Sequence, residues 1–338
     1  HLDDDDRDLL DVAACCGPVF DPAIVAAAAG GALVPTLKRL RRLERDQGLI
    51  RPEGRMYAFD HHQMQEAIYE DLFAQLKEAY HLAVGEASEA LWTEPKGPHA
   101  VELALHFLLG GDPERARPHL LPALHELHAG YLYGPLEELG RNALEAGFLE
   151  DPRERFEVLA KVGEAADLSR DAEFQAAVVT EQMEIAEALD DDALRVLAYL
   201  RRGLQRYSAS EIHDGIRDYE AALELARRIG NGSAEEDAER GIGICWSRIG
   251  DRRKALEHHL RSLALCEELG HESAAAGAHN NVALQLASAG DFEGAEQHYQ
   301  RALELAKKSG NTRWEAYASA NYGRIFYERG DYTKAWEM

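Results

Sequence analysis

The sequence is poor in the residues that carry covalent or metal chemistry. Only four of its 338 residues are cysteine (Cys15, Cys16, Cys245 and Cys266), and they form no spaced framework. Each falls in an apolar helical phrase, as reduced core thiols in a cytoplasmic protein do, so a disulfide-stapled secreted scaffold is excluded. The 11 prolines avoid the periodic stretches. No apolar run reaches membrane-spanning length and no signal-peptide pattern opens the chain, so no membrane partner is expected. Cations are scarce too: 37 Lys and Arg against 61 Asp and Glu leave a net charge of −24, which opposes wholesale binding to nucleic acid. There is no Gly-x-x-x-x-Gly-Lys-Ser/Thr phosphate loop. No enzyme activity, cofactor or metal is expected of these residues.

What is abundant is Leu, Ala and Glu, an all-α composition, and it is arranged on a clock. Gly230, Gly270 and Gly310 stand forty residues apart. Gly250-Asp251, Gly290-Asp291 and Gly330-Asp331 keep the same period, as do Ala255, Ala295 and Ala335, and Gly203, Gly243, Ala283 and Gly323. A fixed period of this length means stacked supersecondary units, none of which can bury its apolar face alone. Asp190 occupies the place of Gly230 and its successors, and Asp tolerates the left-handed cap that the place requires. Regular repeats are expected from Pro152, with Asp151 as cap. The register predicts helices at about 192–208, 212–229, 234–249, 252–269, 272–289, 292–309 and 312–329, with Ala255 and Ala295 buried against partner helices.

The first 72 residues read differently. Helices are expected at Asp8 to Ala14, Pro22 to Ala29, and Pro35 to Gln47, with Pro35 at the first helical position and Gly48 as the stop. Strands follow at Leu49-Ile50-Arg51 and Met56-Tyr57-Ala58-Phe59, around a Pro52-Glu53-Gly54 turn. Three helices and a hairpin make a winged helix. A long helix from about Gln63 to Trp92 comes next, with at most a weak interruption. Irregular helix pairs follow, in which Gly110-Gly111-Asp112 and Ala116 repeat the later pattern in degenerate form. The expected organisation is a winged helix over 1–72, a helical connector over 73–151, and a repeat array over 152–338 that stops within a helix. Because the chain also opens without an initiator Met, it is expected to be part of a longer protein.

The pattern of small residue, Gly-Asp turn, Ala, aromatic and Ala, as in Ala283, Gly290-Asp291, Ala295, Tyr299 and Ala302, resembles the tetratricopeptide repeat. The usual period of that family is 34, and the longer one here is similar to that of bacterial signalling regulators and animal polarity scaffolds. The resemblance implies an α-solenoid whose first helices line a concave groove for a peptide, a protein or a small effector. Carried over by register, the groove positions are Arg201, Asn281 and Asn321, then Arg324 and Arg248, with Asn280 beside them. An Asn amide can donate to and accept from an extended peptide at once, and Arg suits carboxylates. The competing reading is that the asparagines bridge neighbouring helices.

Tyr57-Ala58-Phe59-Asp60-His61-His62, running on to Glu66 and Tyr69, resembles a stretch of the STAND-class signalling ATPases, as does Leu9 to Asp21. The resemblance implies a winged helix that follows an NTPase module, with His61 touching the bound nucleotide's phosphate. Asp60 stands where the family usually has Arg. ATP or ADP would belong only to that module, outside these residues, and the two would share an interdomain contact.

Other signals are weaker. Asp60-His61-His62 and His125-Glu126-Leu127-His128 spell fragments of metal motifs without their further ligands. Gly241-Ile242-Gly243 lacks a preceding strand and reads as close packing. Lys38, Arg39, Arg41, Arg42 and Arg45 lie on the third helix of the winged helix, where DNA-binding relatives place recognition residues; they are equally placed to pair with Asp3 to Asp6 or with the NTPase module. The reading favoured is a non-enzymatic, cytoplasmic sensor whose array binds a partner and whose winged helix relays occupancy. The alternatives are a DNA-binding transcriptional regulator, with duplex DNA the less expected partner, and a passive assembly scaffold.

Overall fold

The computed structural model describes residues 3–92, 96–169 and 171–338. His1 and Leu2, at the start of the expected winged-helix region over 1–72, lie outside them. The fold is all-α apart from one small sheet, and it divides into two compact units, His1–Asp171 and Ala172–Met338.

Unit 1 begins with α1 (Asp4–Cys16), longer than the Asp8 to Ala14 expected because the acidic run is a helix start. Asp3 caps it by accepting from the Asp6 amide at 2.7 Å, and Asp4 to Asp6 complement the positive end of the helix dipole. After the short strand β1 (Val19–Phe20), Asp21 caps α2 (Pro22–Ala28) with Pro22 in its first turn. Helix α3 (Leu33–Gln47) starts two residues before the expected Pro35, which sits inside the first turn where no intrahelical donor is needed. Gly48 ends it at φ 63°. Strands β2 (Ile50–Glu53) and β3 (Met56–Phe59) form a hairpin whose first strand runs on through Pro52 and Glu53, expected as turn, so that the chain reverses at Gly54 and Arg55. Strand β1 adds a third, in the order β1-β3-β2. Both pairings are antiparallel, with Val19 opposite Ala58 and Ile50 opposite Phe59. Leu10, Phe20, Val25, Leu40, Leu43, Ile50 and Phe59 close one core beneath.

The single long helix expected over Gln63 to Trp92 is corrected. It is two helices, α4 (His62–Asp71) and α5 (Ala74–Leu91), parted at Leu72, whose backbone is extended at φ −73° and ψ 133°. No Gly or Pro marks the break. Leu72 is buried while Phe73 is exposed, and the turn lets both helices pack on α1. Helices α6 (Pro98–Leu109), α7 (Pro113–Ala129), α8 (Tyr133–Glu145) and α9 (Pro152–Ser169) complete the unit. Asp151 accepts from the Arg153 amide at 2.9 Å, the cap expected there.

Unit 2 opens with α10 (Ala172–Ala188) and continues through α11 (Asp192–Ser208), α12 (Ile212–Ile229), α13 (Gly232–Ile249), α14 (Arg252–Leu269), α15 (Glu272–Ser288), α16 (Phe292–Ser309), α17 (Thr312–Glu328) and the short α18 (Tyr332–Glu337). These follow the forty-residue register to within two residues at each end. Gly230, Gly270 and Gly310 stand at φ 69°, 69° and 67°, and Asp190, in the equivalent place, at φ 50°. Asp251, Asp291 and Asp331 each cap the helix that follows. Ala255 and Ala295 are fully buried, and no strand occurs among the described residues of this unit.

Candidate functional site

On α11 and α17, two of the four first helices of the pairs (α11, α13, α15 and α17), side chains at i, i+4 and i+7 spacing share one face and leave large apolar groups exposed, whereas the equivalent positions of α13 and α15 are half-buried or buried. On α11 the line is Leu197, Arg201 and Leu204; on α17 it is Tyr317, Asn321 and Arg324. Leu197, Leu204 and Tyr317 are 48%, 39% and 49% exposed, high values for large apolar side chains within a packed array. Arg248 and Arg324 are exposed, Asn281 and Asn321 are half-buried, and Asn280 is buried. Arg201 is half-buried and engaged with neighbouring groups. At the equivalent of Asn281 on α13, Gly241 leaves room for the Tyr219 ring: a Cβ there would lie 2.5 Å from it.

Side chains join each of these helices to the next. The Arg248 guanidinium on α13 lies 5.9 Å from the centre of the Tyr207 ring on α11. Gln285 on α15 donates to Ser247 Oγ on α13 at 2.9 Å. Asn321 Nδ2 on α17 donates to Asn280 Oδ1 on α15 at 3.0 Å, and Asn280 Nδ2 reaches Asn281 Oδ1 at 3.4 Å. The three asparagines thus form one amide ladder, and part of their hydrogen-bonding capacity goes to bridging adjacent repeats. Arg324 stands one turn beyond it with Glu328 at 3.7 Å. Amides, guanidinium groups and exposed apolar side chains on one face can grip an extended backbone and its carboxylates.

The cations of α3 are divided. Arg39 pairs with Asp5 at 2.8 Å and Asp6 at 3.3 Å, and Arg42 pairs with Asp3 at 3.0 Å and also with Asp6. Arg45 turns to its neighbour Asp46 at 2.7 Å. Lys38 and Arg41 are exposed and have no acidic partner among the described residues. The acidic run that caps α1 therefore occupies part of the basic face. His61 precedes α4, its side chain 74% exposed, with Nε2 3.4 Å from Asp60.

Two features escaped the sequence reading. A cleft of about 380 Å³ runs between α10, α11 and the turn that follows α11, where Met183, Glu184, Glu187, Arg202, Gln205 and Arg206 meet. Both arginines also hold the buried Asp218 at 2.7 Å. The side chains lining the cleft come from separate stretches of the chain, so only the packing reveals it. Buried histidines are the other feature. His81 Nδ1 and His106 Nδ1 are 2.9 Å apart, as are those of His279 and His298. Burial lowers His81, His259 and His279 to about 4 and His106 to about 3. The four cysteines are free, and burial pushes Cys15 and Cys266 up to about 12 and Cys245 to about 11. A thiol held that high is a poor nucleophile.

Residues 274–338 match the family model of the tetratricopeptide repeat. No curated protein sequence matches the chain. Among solved structures, the fold is similar to that of a Signal Transduction ATPase with Numerous Domains (STAND) protein with a tetratricopeptide repeat sensor from Pyrococcus horikoshii. The TM-score is 0.50 at 15% identity, over 96% of this chain and 54% of that one, so this chain spans about half its length. It is also similar to a Rap protein complexed with competence and sporulation factor, with a TM-score of 0.54 at 13% identity over 89% of each chain. Aspartyl phosphate phosphatase F from Bacillus subtilis gives a TM-score of 0.55 at 14% identity, over 90% of this chain and 79% of that one. At these identities the likeness is one of fold, and it is to helical-repeat proteins.

Proposed function

We propose that this chain is a non-enzymatic sensor segment. The face formed by its first helices binds a peptide or protein, and its N-terminal region acts as a winged helix that relays occupancy to an NTPase module carried elsewhere in the protein. The observation that carries the binding role is the exposure of Leu197, Leu204 and Tyr317 in line with Arg201, Arg248, the asparagine ladder and Arg324. An array that only stacked would cover those apolar side chains or replace them with polar ones. The Rap protein whose fold resembles this chain was crystallised with competence and sporulation factor, which supports a similar use here. Free, deeply buried thiols suit a cytoplasmic location.

The relay rests on the STAND-like stretch around His61, on the exposure of that side chain, and on the similarity of fold to a STAND protein with a repeat sensor. ATP or ADP would be held by the NTPase module. A DNA-reading role is the weaker alternative, because Arg39 and Arg42 are already paired with the start of α1. A passive scaffold would use the same face without a relay.

Selection of extended peptides from a displayed library tests the reading. The intact chain should enrich a peptide family carrying at least one carboxylate. The Leu204→Ala, Tyr317→Ala double variant should bind those peptides about tenfold less tightly, with the same melting temperature. Failure to enrich any peptide, or binding that the double variant leaves unchanged, would refute it.

A further inference from the structure

Within unit 1, the end of α1, strands β1 and β3 and helices α2, α5 and α6 line a cavity of about 170 Å³. Phe20, Ile24 and Val84 give its wall apolar surface, and Asp21, Ser88 and Glu102 bring polar groups to it. Trp92 and His99 complete it, their rings stacked with centroids 4.0 Å apart and planes 8° from parallel.

Ser88 separates this cavity from an ordinary packing gap. Its side chain is wholly buried and its hydroxyl has no hydrogen-bond partner. A buried hydroxyl left unpaired is destabilising, so one that lines a cavity is a place for a ligand to donate or accept. The carboxylates set the sign of that ligand. Asp21 uses one oxygen to cap α2, accepting from the Ala23 amide at 2.7 Å. Glu102 has no ion pair or hydrogen bond among the described residues. Two carboxylates beside a stacked aromatic pair favour a cation. The apolar side chains of the wall suit one with a hydrocarbon body, and among the described residues no cluster of three His, Cys, Asp or Glu could hold a metal ion.

We propose that this cavity binds a small organic ammonium ion. Its charge sits between Asp21 and Glu102, one N–H donates to Ser88 Oγ, and its alkyl chain packs against Phe20, Ile24 and Val84. Because the wall joins α2 to α5 and α6, occupancy ties the N-terminal helices to those that follow.

Calorimetry and thermal melting of the whole chain with n-butylamine, 1-butanol and sodium butyrate at neutral pH test the assignment. The amine should bind and raise the melting temperature, while the alcohol and the acid do neither. Glu102→Gln, which keeps the shape of the side chain and removes its charge, should weaken amine binding about tenfold. Glu70→Gln, the same change of charge on exposed α4, should leave binding unchanged. Ser88→Ala should move two readouts in opposite directions, raising the melting temperature of the empty protein and lowering its affinity for the amine. Equal binding of butanol, no binding of butylamine, indifference to Glu102→Gln, or displacement of the amine by magnesium, calcium or zinc would overturn the proposal.

Discussion

A Cβ on Gly243 would lie 2.6 Å from Nδ1 of His259, so the helices α13 and α14 meet with no space for a side chain on the first of them. Gly203 stands against Tyr219 in the preceding pair in the same way, with 2.9 Å from its Cβ position to the ring. These contacts set the closeness of the two helices within a repeat. Gly243→Ala should overpack the junction and cost about 1–3 kcal/mol. Urea unfolding measures this, and a loss below about 0.5 kcal/mol would show that the imidazole moves aside at little cost.

Stability should depend on pH through the buried histidines. His81, His259 and His279 are lowered to about 4 and His106 to about 3, chiefly by burial. In the unfolded chain they take up protons near 6.5. Between those values the unfolded state binds more protons, so stability is fully present above about pH 6.5 and falls as the pH drops toward 4. Each histidine that stays neutral contributes a slope of about 1.4 kcal/mol per pH unit. Tyr219 and Tyr299 hold the place of His259 in neighbouring repeats, so His259→Tyr should keep the fold and remove one histidine's share of the slope. Unfolding free energies at a series of pH values give the answer; an unchanged slope in the variant would rule His259 out as a contributor.

The asparagine ladder makes the two roles of its members separable. Asn321→Ala removes the donor to Asn280 Oδ1, whose residue is 3% exposed. It should cost about 1–3 kcal/mol, because a buried acceptor loses its partner. Asn281→Ala cuts only the longer 3.4 Å contact, so stability should change by less than about 0.5 kcal/mol. If the face binds a peptide, Asn281→Ala should still weaken that binding. Equal losses of stability in both variants, with binding intact, would make the ladder a bridge and nothing more.

The cations of α3 offer a further test. Arg39→Ala with Arg42→Ala strips the partners from Asp6, which is 4% exposed, and should lower the melting temperature. Lys38→Ala with Arg41→Ala should leave it unchanged. Duplex DNA should bind no more tightly than about 10⁻⁴ to 10⁻⁶ M at physiological salt, the non-specific range. Sequence-selective retardation at nanomolar protein, lost in Lys38→Ala with Arg41→Ala, would make α3 a DNA reader.

The repeat array was legible in the sequence because its determinants are local. A left-handed cap accepts only a few residue types, hence Gly230, Gly270, Gly310 and the substitute Asp190. A capping aspartate must follow at a fixed offset, hence Asp251, Asp291 and Asp331. Small residues are needed where helices touch, hence Gly243 and Ala295. Each rule acts within a few residues and repeats every forty, so the helix bounds of unit 2 follow from the register.

Tertiary structure decided what depends on contacts distant in sequence. The break at Leu72 carries no Gly or Pro, and it exists because α4 and α5 each find a place on α1. The pairing of Arg39 and Arg42 with Asp3 to Asp6 joins residues more than thirty apart. The sequence offered those aspartates, the NTPase module or DNA as partners for the cations; the fold pairs Arg39 and Arg42 with the aspartates and leaves Lys38 and Arg41 exposed. Asn280 stands in the sequence only as the neighbour of Asn281, and its particular link to Asn321 needs α15 and α17 side by side. The cavity around Ser88 is further still from any motif, since its wall is drawn from six separate elements. Local capping and helix propensity wrote the repeats into the chain, whereas the sites depend on which faces the folded helices bring together.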